Sequence, residues 1–184
     1  MSTIKGAVLG AVLMATAGAP SALAQGAEFS LGGGVSVPSG NFDDFAKLGW
    51  HGTAAVSFVP QTMPVGFQVD GSFSRLSDES PADRQAQLIY GTGNIVYKFQ
   101  VAEDTKFRPY LIGGGGVYNL DTKGDDVLPG DESVTKFGIN AGAGFDFKAG
   151  SAGLFVEGRF HNVFTEGDNT NFIPITVGVR FGGN

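Results

Sequence analysis

The sequence predicts an all-β fold: an eight-stranded antiparallel up-and-down transmembrane β-barrel, made from a chain that carries an export signal. Three observations predict it. Apolar and small polar residues alternate with period two along eight runs, the connections between runs are alternately short and long, and the N-terminus has the pattern of a secretory leader in a chain without cysteine. Period two marks a strand with two unlike faces, whereas an amphipathic helix repeats every ~3.6 residues.

Residues 1–24 read as a cleaved signal peptide. Lys5 is the positive n-region, Gly6 to Ala19 the apolar core and Ala22-Leu23-Ala24 the small-x-small site, so cleavage is expected after Ala24. The apolar core is shorter than the ~20 residues a spanning helix needs. Residues 25–184 then form one barrel domain. An exported chain with no cysteine is not a disulfide-stapled scaffold. The formal net charge of −6 excludes a basic nucleic-acid footprint, and loss of Lys5 makes the remainder more acidic still. Thirty glycines follow no collagen period and fall instead inside the alternating runs.

The expected strands are Glu28–Val37, Gly49–Val59, Val65–Arg75, Leu88–Phe99, Phe107–Asn119, Thr135–Phe147, Gly153–Phe164 and Phe172–Phe181. In the second, Trp50, Ala54, Val56 and Phe58 share a face opposite His51, Thr53 and Ser57. In the third, Val65, Phe67, Val69 and Phe73 oppose Gln68, Asp70, Ser72 and Ser74. In the fourth, Ile89, Ile95, Tyr97 and Phe99 oppose Asn94 and Lys98. The fifth contains Gly113 to Gly116, where glycines blur the parity; only Arg108 is assigned inward. The sixth alternates most cleanly, with Phe137, Ile139, Ala141, Ala143, Phe145 and Phe147 against Lys136, Gly138, Asn140, Gly142, Gly144 and Asp146. The eighth sets Ile173, Ile175, Val177, Val179 and Phe181 against Pro174, Thr176, Gly178 and Arg180.

Between strands, Val59–Pro64, Gln100–Thr105 and Lys148–Ser151 are short. Pro38–Leu48, Leu76–Gln87, Leu120–Val134 and Thr165–Asn171 are longer and acidic. Short turns at one end and long loops at the other are the asymmetry of membrane barrels. The same alternation could fold as a soluble carrier barrel with its apolar face inward. An apolar face without charge, aromatics near strand ends and a polar face poor in Lys and Glu favour lipid outside. Eight strands leave a lumen only wide enough for side chains. The inward set is therefore expected to be small, or ionised and paired: Glu28, Asp70, Asp146 and Glu157 against Lys98, Arg108, Lys136, Arg159 and Arg180. Glu157 and Arg159 stand side by side on one strand.

On the leader, the segments PSGNF (38–42), RPYLIGGGG (108–116) and VEGRF (156–160), and the closing strand FIPITVGVRF (172–181), the chain resembles the OmpA/OmpX-like eight-stranded outer-membrane barrels of Gram-negative bacteria. The resemblance implies the cell outer membrane, contact with its lipid and lipopolysaccharide, and assembly by the barrel-insertion machinery. Phe181 would end the assembly signal, although three residues follow it. None of the shared motifs is catalytic.

Candidate chemistry is sparse. His51 and His161 are expected at the long-loop rim, on strands two and seven, with no carboxylate partner evident. Some small outer-membrane barrels modify lipid A with a His, Ser and carboxylate set. The Gly113–Gly116 run is not a phosphate loop, since no helix follows it. Twelve of the 18 acids fall in the four long loops: Asp43, Asp44, Asp78, Glu79, Asp83, Asp121, Asp125, Asp126, Asp131, Glu132, Glu166 and Asp168. They face only Lys47, Arg84 and Lys123, and their spacing does not match an EF-hand. The expectation is a non-enzymatic structural or surface-interaction barrel with no metal and no cofactor. A narrow solute channel is the alternative, and a lipid A-modifying enzyme the third reading.

Overall fold

The computed structural model describes residues 26–40, 48–60, 63–77, 85–102, 105–123, 134–149, 152–165 and 169–182. The signal-peptide expectation and all the loop acids except Asp121 lie outside these residues.

Eight strands form, in the expected order: β1 (Ala27–Ser39), β2 (Gly49–Phe58), β3 (Val65–Ser77), β4 (Gln85–Lys98), β5 (Phe107–Lys123), β6 (Val134–Ala149), β7 (Ala152–Val163) and β8 (Thr170–Gly182). Each pairs antiparallel with its chain neighbours, and β8 returns to β1 to close the barrel. The seam runs from Glu28 opposite Gly182, through Phe29 opposite Phe181, to Ser39 opposite Asn171. Closure leaves no sheet edge, so every strand has a partner on both sides. That is the condition for a sheet in hydrocarbon, where water cannot satisfy the backbone.

The alternation sorts the side chains as expected on the clean strands. On β6, Phe137, Ile139 and Phe145 are exposed on the outer face, Phe137 at 72%, while Asn140 is buried inside. On β3, Phe67 and Val69 point out while Gln68, Asp70 and Ser74 are buried. An apolar outside around a polar inside is the inverse of a soluble barrel, and it matches a lipid surround. Trp50 and Phe73 meet with ring centroids 5.5 Å apart near the long-loop end. Tyr97 and Phe99 do so at 5.0 Å near the short-turn end, as two interfacial girdles would.

Inside the lumen one open assignment is filled and one expectation is corrected. The blurred fifth strand resolves into Tyr110, Ile112 and Tyr118 inward, with Leu111 and Val117 outward. Gly114 and Gly116 share the inward parity. The inward set is also not confined to small or ionised residues, since Leu76, Leu88, Tyr90, Val96, Phe155, Val163 and Phe172 are buried there. Buried lumen positions can be filled by apolar groups as well as by pairs. Glycines on the facing strand make room for the large rings. A Cβ on Gly138 would stand 2.8 Å from the Tyr118 ring, nearer than side-chain atoms pack.

Candidate functional site

The lumen is built in layers along the barrel axis. At the short-turn end, β1, β4, β6 and β8 contribute Glu28, Lys98, Asp146 and Arg180. Lys98 Nζ lies 2.7 Å from Glu28 Oε2 and 3.4 Å from Asp146 Oδ2. Arg180 Nη1 lies 3.1 Å from Asp146 Oδ1 and 3.8 Å from Glu28 Oε2. Two cations and two carboxylates thus share one group. The Arg180 guanidinium is also sandwiched, 4.8 Å from the Tyr110 ring centroid and 4.7 Å from that of Phe155.

The middle layer centres on Asp70. Its carboxylate accepts hydrogen bonds from Arg159 Nη1 (2.8 Å), Thr92 Oγ1 (2.8 Å), Asn94 Nδ2 (2.9 Å) and Gln68 Nε2 (3.2 Å). Arg159 turns its other edge to Glu157, donating from Nε at 2.9 Å and from Nη2 at 2.5 Å. Tyr110 links this layer to the first: its hydroxyl donates to Glu157 Oε2 at 2.9 Å and accepts from Arg180 Nη2 at 3.0 Å. One arginine between two carboxylates, each further hydrogen-bonded, is the arrangement in which buried charges persist. Glu157 and Arg159 meet because residues i and i+2 of a strand share a face.

Beside the middle layer, His51 is held between hydroxyls, Nδ1 at 3.2 Å from Ser36 Oγ and Nε2 at 2.9 Å from Thr176 Oγ1. Ser74 donates to Ser36 at 2.9 Å. The remaining space among His51, Tyr90, Arg159 and His161 is about 10 Å³, room for about one water molecule. Toward the long loops the lumen is packed with rings and apolar side chains. Tyr90 and Tyr118 stack with centroids 5.2 Å apart, and His161 stacks on Phe172 at 4.8 Å. Tyr90 meets Phe172 edge-on at 5.7 Å. Leu76, Leu88 and Val163 complete this cluster, and the Tyr118 hydroxyl and His161 Nδ1 satisfy each other at 2.8 Å.

Of the nine charged residues expected in the lumen, the structure brings seven into these two ionic layers. Arg108 keeps the inward parity but stands exposed at the short-turn mouth. Asp146, its cross-strand partner, is already committed to Lys98 and Arg180. Lys136 is half-buried at the other end of β6. Phe181 points outward at the seam, opposite Phe29. The histidines differ from their rim expectation: both are buried inside, His51 3% and His161 1% exposed. Their strands are separated by β1 and β8, yet the barrel is narrow enough for both to line one small cavity. Sequence reasoning missed the ring plug. The available signal was Phe172, an aromatic at the polar parity of β8.

A family model described as outer membrane protein beta-barrel domain matches residues 8–181. No curated protein matches the chain. Among solved structures, the chain is similar to the Neisserial surface protein A, NspA, at 15% identity with a TM-score of 0.67, over 86% of this chain and 97% of that one. It is similar to Ail, the attachment invasion locus protein of Yersinia pestis, at 15% identity and TM-score 0.54, over 85% and 99% of the two chains. A major outer membrane protein from Thermus thermophilus aligns at 10% identity and TM-score 0.53, over 84% and 98%. At such identities the likeness is one of fold.

Proposed function

The chain belongs to the outer membrane protein β-barrel domain family, and from that premise we propose that it is a non-enzymatic scaffold with a closed lumen, presenting acidic loops outside the cell. The observation that carries this reading is the filled lumen. A plug of Tyr90, Tyr118, His161 and Phe172 lies above an Asp70–Arg159–Glu157 network, with about 10 Å³ left between them. Ions cross an apolar constriction only when it wets, and here side chains occupy the space water would need.

The long loops, with eleven of the chain's 18 acids once Asp121 is placed within β5, face the exterior in this reading, and the short turns face the periplasm. Partner specificity belongs to the loops, because the strands are committed to lipid and lumen. The outer face contacts outer-membrane lipid and lipopolysaccharide, and the closing strand with Phe181 is what the barrel-insertion machinery reads. A catalytic reading has less support: neither histidine bonds a carboxylate among the described residues, and Ser36, beside His51, is fully buried away from any substrate.

Recording in planar bilayers tests the closed lumen. The purified protein is expected to give no steady conductance, and reproducible unitary steps would replace the scaffold with a narrow channel.

A further inference from the structure

The short-turn mouth holds a cavity of about 790 Å³ that the lumen layers do not fill. Small-molecule sites are hollows of roughly 300–1,000 Å³ with apolar walls and a few convergent polar groups. This cavity has that composition. Val59, Pro60, Met63 and Val101 give it an apolar wall, and Glu28, Lys98, Arg108 and Lys148 bring charge to it.

Those charges differ in how far they are engaged. Glu28 and Lys98 belong to the four-membered group with Asp146 and Arg180, where two cations offset two carboxylates. Arg108 and Lys148 are exposed, and neither side chain makes an ion pair or hydrogen bond among the described residues. Among the described residues two surplus positive charges therefore converge on one hollow, in a chain whose net charge is −6 and most of whose acids lie in loops at the opposite end. Low-dielectric walls around like charges focus the potential and draw in a counter-ion. Arg108 offers the planar fork that matches carboxylate and phosphate, and Lys148 offers a mobile point charge. A simple anion would satisfy both cations but leave the apolar wall in water.

We propose that this vestibule binds an anionic amphiphile, with a carboxylate or phosphate head on Arg108 and Lys148 and an apolar body against Val59, Pro60, Met63 and Val101. The site is independent of the scaffold reading. It lies below the closed lumen, so it is open whether or not the barrel conducts.

The chain has three methionines, Met1, Met14 and Met63; Met63 is the one among the described residues, and it lines the cavity. With the full chain in phospholipid nanodiscs and ¹³C-methyl methionine, the Met63 signal, assigned by its loss in Met63→Leu, reports on the vestibule directly. Octyl phosphate, kept below its micelle-forming concentration, is expected to shift it saturably. The Arg108→Gln/Lys148→Gln double variant is expected to weaken binding about tenfold. Each single variant should weaken it about threefold, which serves if the double variant loses its heat-dependent gel shift. Inorganic phosphate should bind at least about tenfold more weakly, since the wall contributes nothing to it. Octyltrimethylammonium should give no saturable shift. The proposal is overturned by no shift with octyl phosphate, by equal response to the cationic amphiphile, by undiminished affinity in the variants, or by inorganic phosphate binding equally well.

Discussion

At the short-turn end the lumen is filled by Glu28, Lys98, Asp146 and Arg180, whose charges cancel within one group. At the long-loop end the same barrel is filled by Tyr90, Tyr118, His161 and Phe172, packed with Leu76, Leu88 and Val163. The strands, their pairing and the ring they form are common to both ends, so backbone geometry does not dictate the filling. What differs is access to water. The Glu28 and Asp146 side chains remain 19% exposed beside the open vestibule, whereas Tyr118 and Phe172 are fully buried. Partial solvation lowers the cost of holding charge at the mouth. Deeper in, at Asp70 and Glu157, charge is kept only by saturating each carboxylate with donors.

The comparison predicts graded responses to substitution. Arg159→Met should be the most damaging, because it leaves Asp70 and Glu157 buried together without their shared cation. A loss of about 4 kcal/mol is expected, read as a lower urea midpoint for the transition from the heat-modifiable folded band to the unfolded one. A loss under about 1 kcal/mol would mean that the other donors around Asp70 suffice.

Phe172→Ala removes a ring from the plug and opens a cavity, with an expected cost of about 3 kcal/mol in the same assay. Should this variant also conduct in planar bilayers while the parent does not, the plug is the element that closes the lumen. Lys98→Met is the mildest, at about 1–2 kcal/mol, since Arg180 remains within ion-pair range of both carboxylates and water reaches them. A cost for Lys98 equal to that for Arg159 would remove the distinction between mouth and middle.

Much of this was legible in the residues themselves. The clean alternation from Lys136 to Phe147 assigned both faces of β6, and all eight strands fell where their runs lay. The pairing of Glu157 with Arg159 followed from strand geometry on one face. The glycine run of β5 was not legible, because residues without side chains carry no polarity contrast by which to tell in from out. The depth of His51 and His161 was hidden for a different reason. A polar residue at inward parity looks the same in sequence whether it lines a wet rim or a sealed interior, and only its neighbours across the barrel decide which.

By itself the sequence determined the strands, their order, the inverted polarity of the barrel and, outside the glycine-rich β5, which face of the cleanly alternating strands turns inward, since all of these follow from local period and connection length. Only the tertiary structure decided which inward residues meet. Asp70 and Arg159 lie 89 positions apart, and Tyr118 and Phe172 belong to strands that share no ladder. Contacts across a closed ring depend on register and closure together, and neither is a property of any one strand.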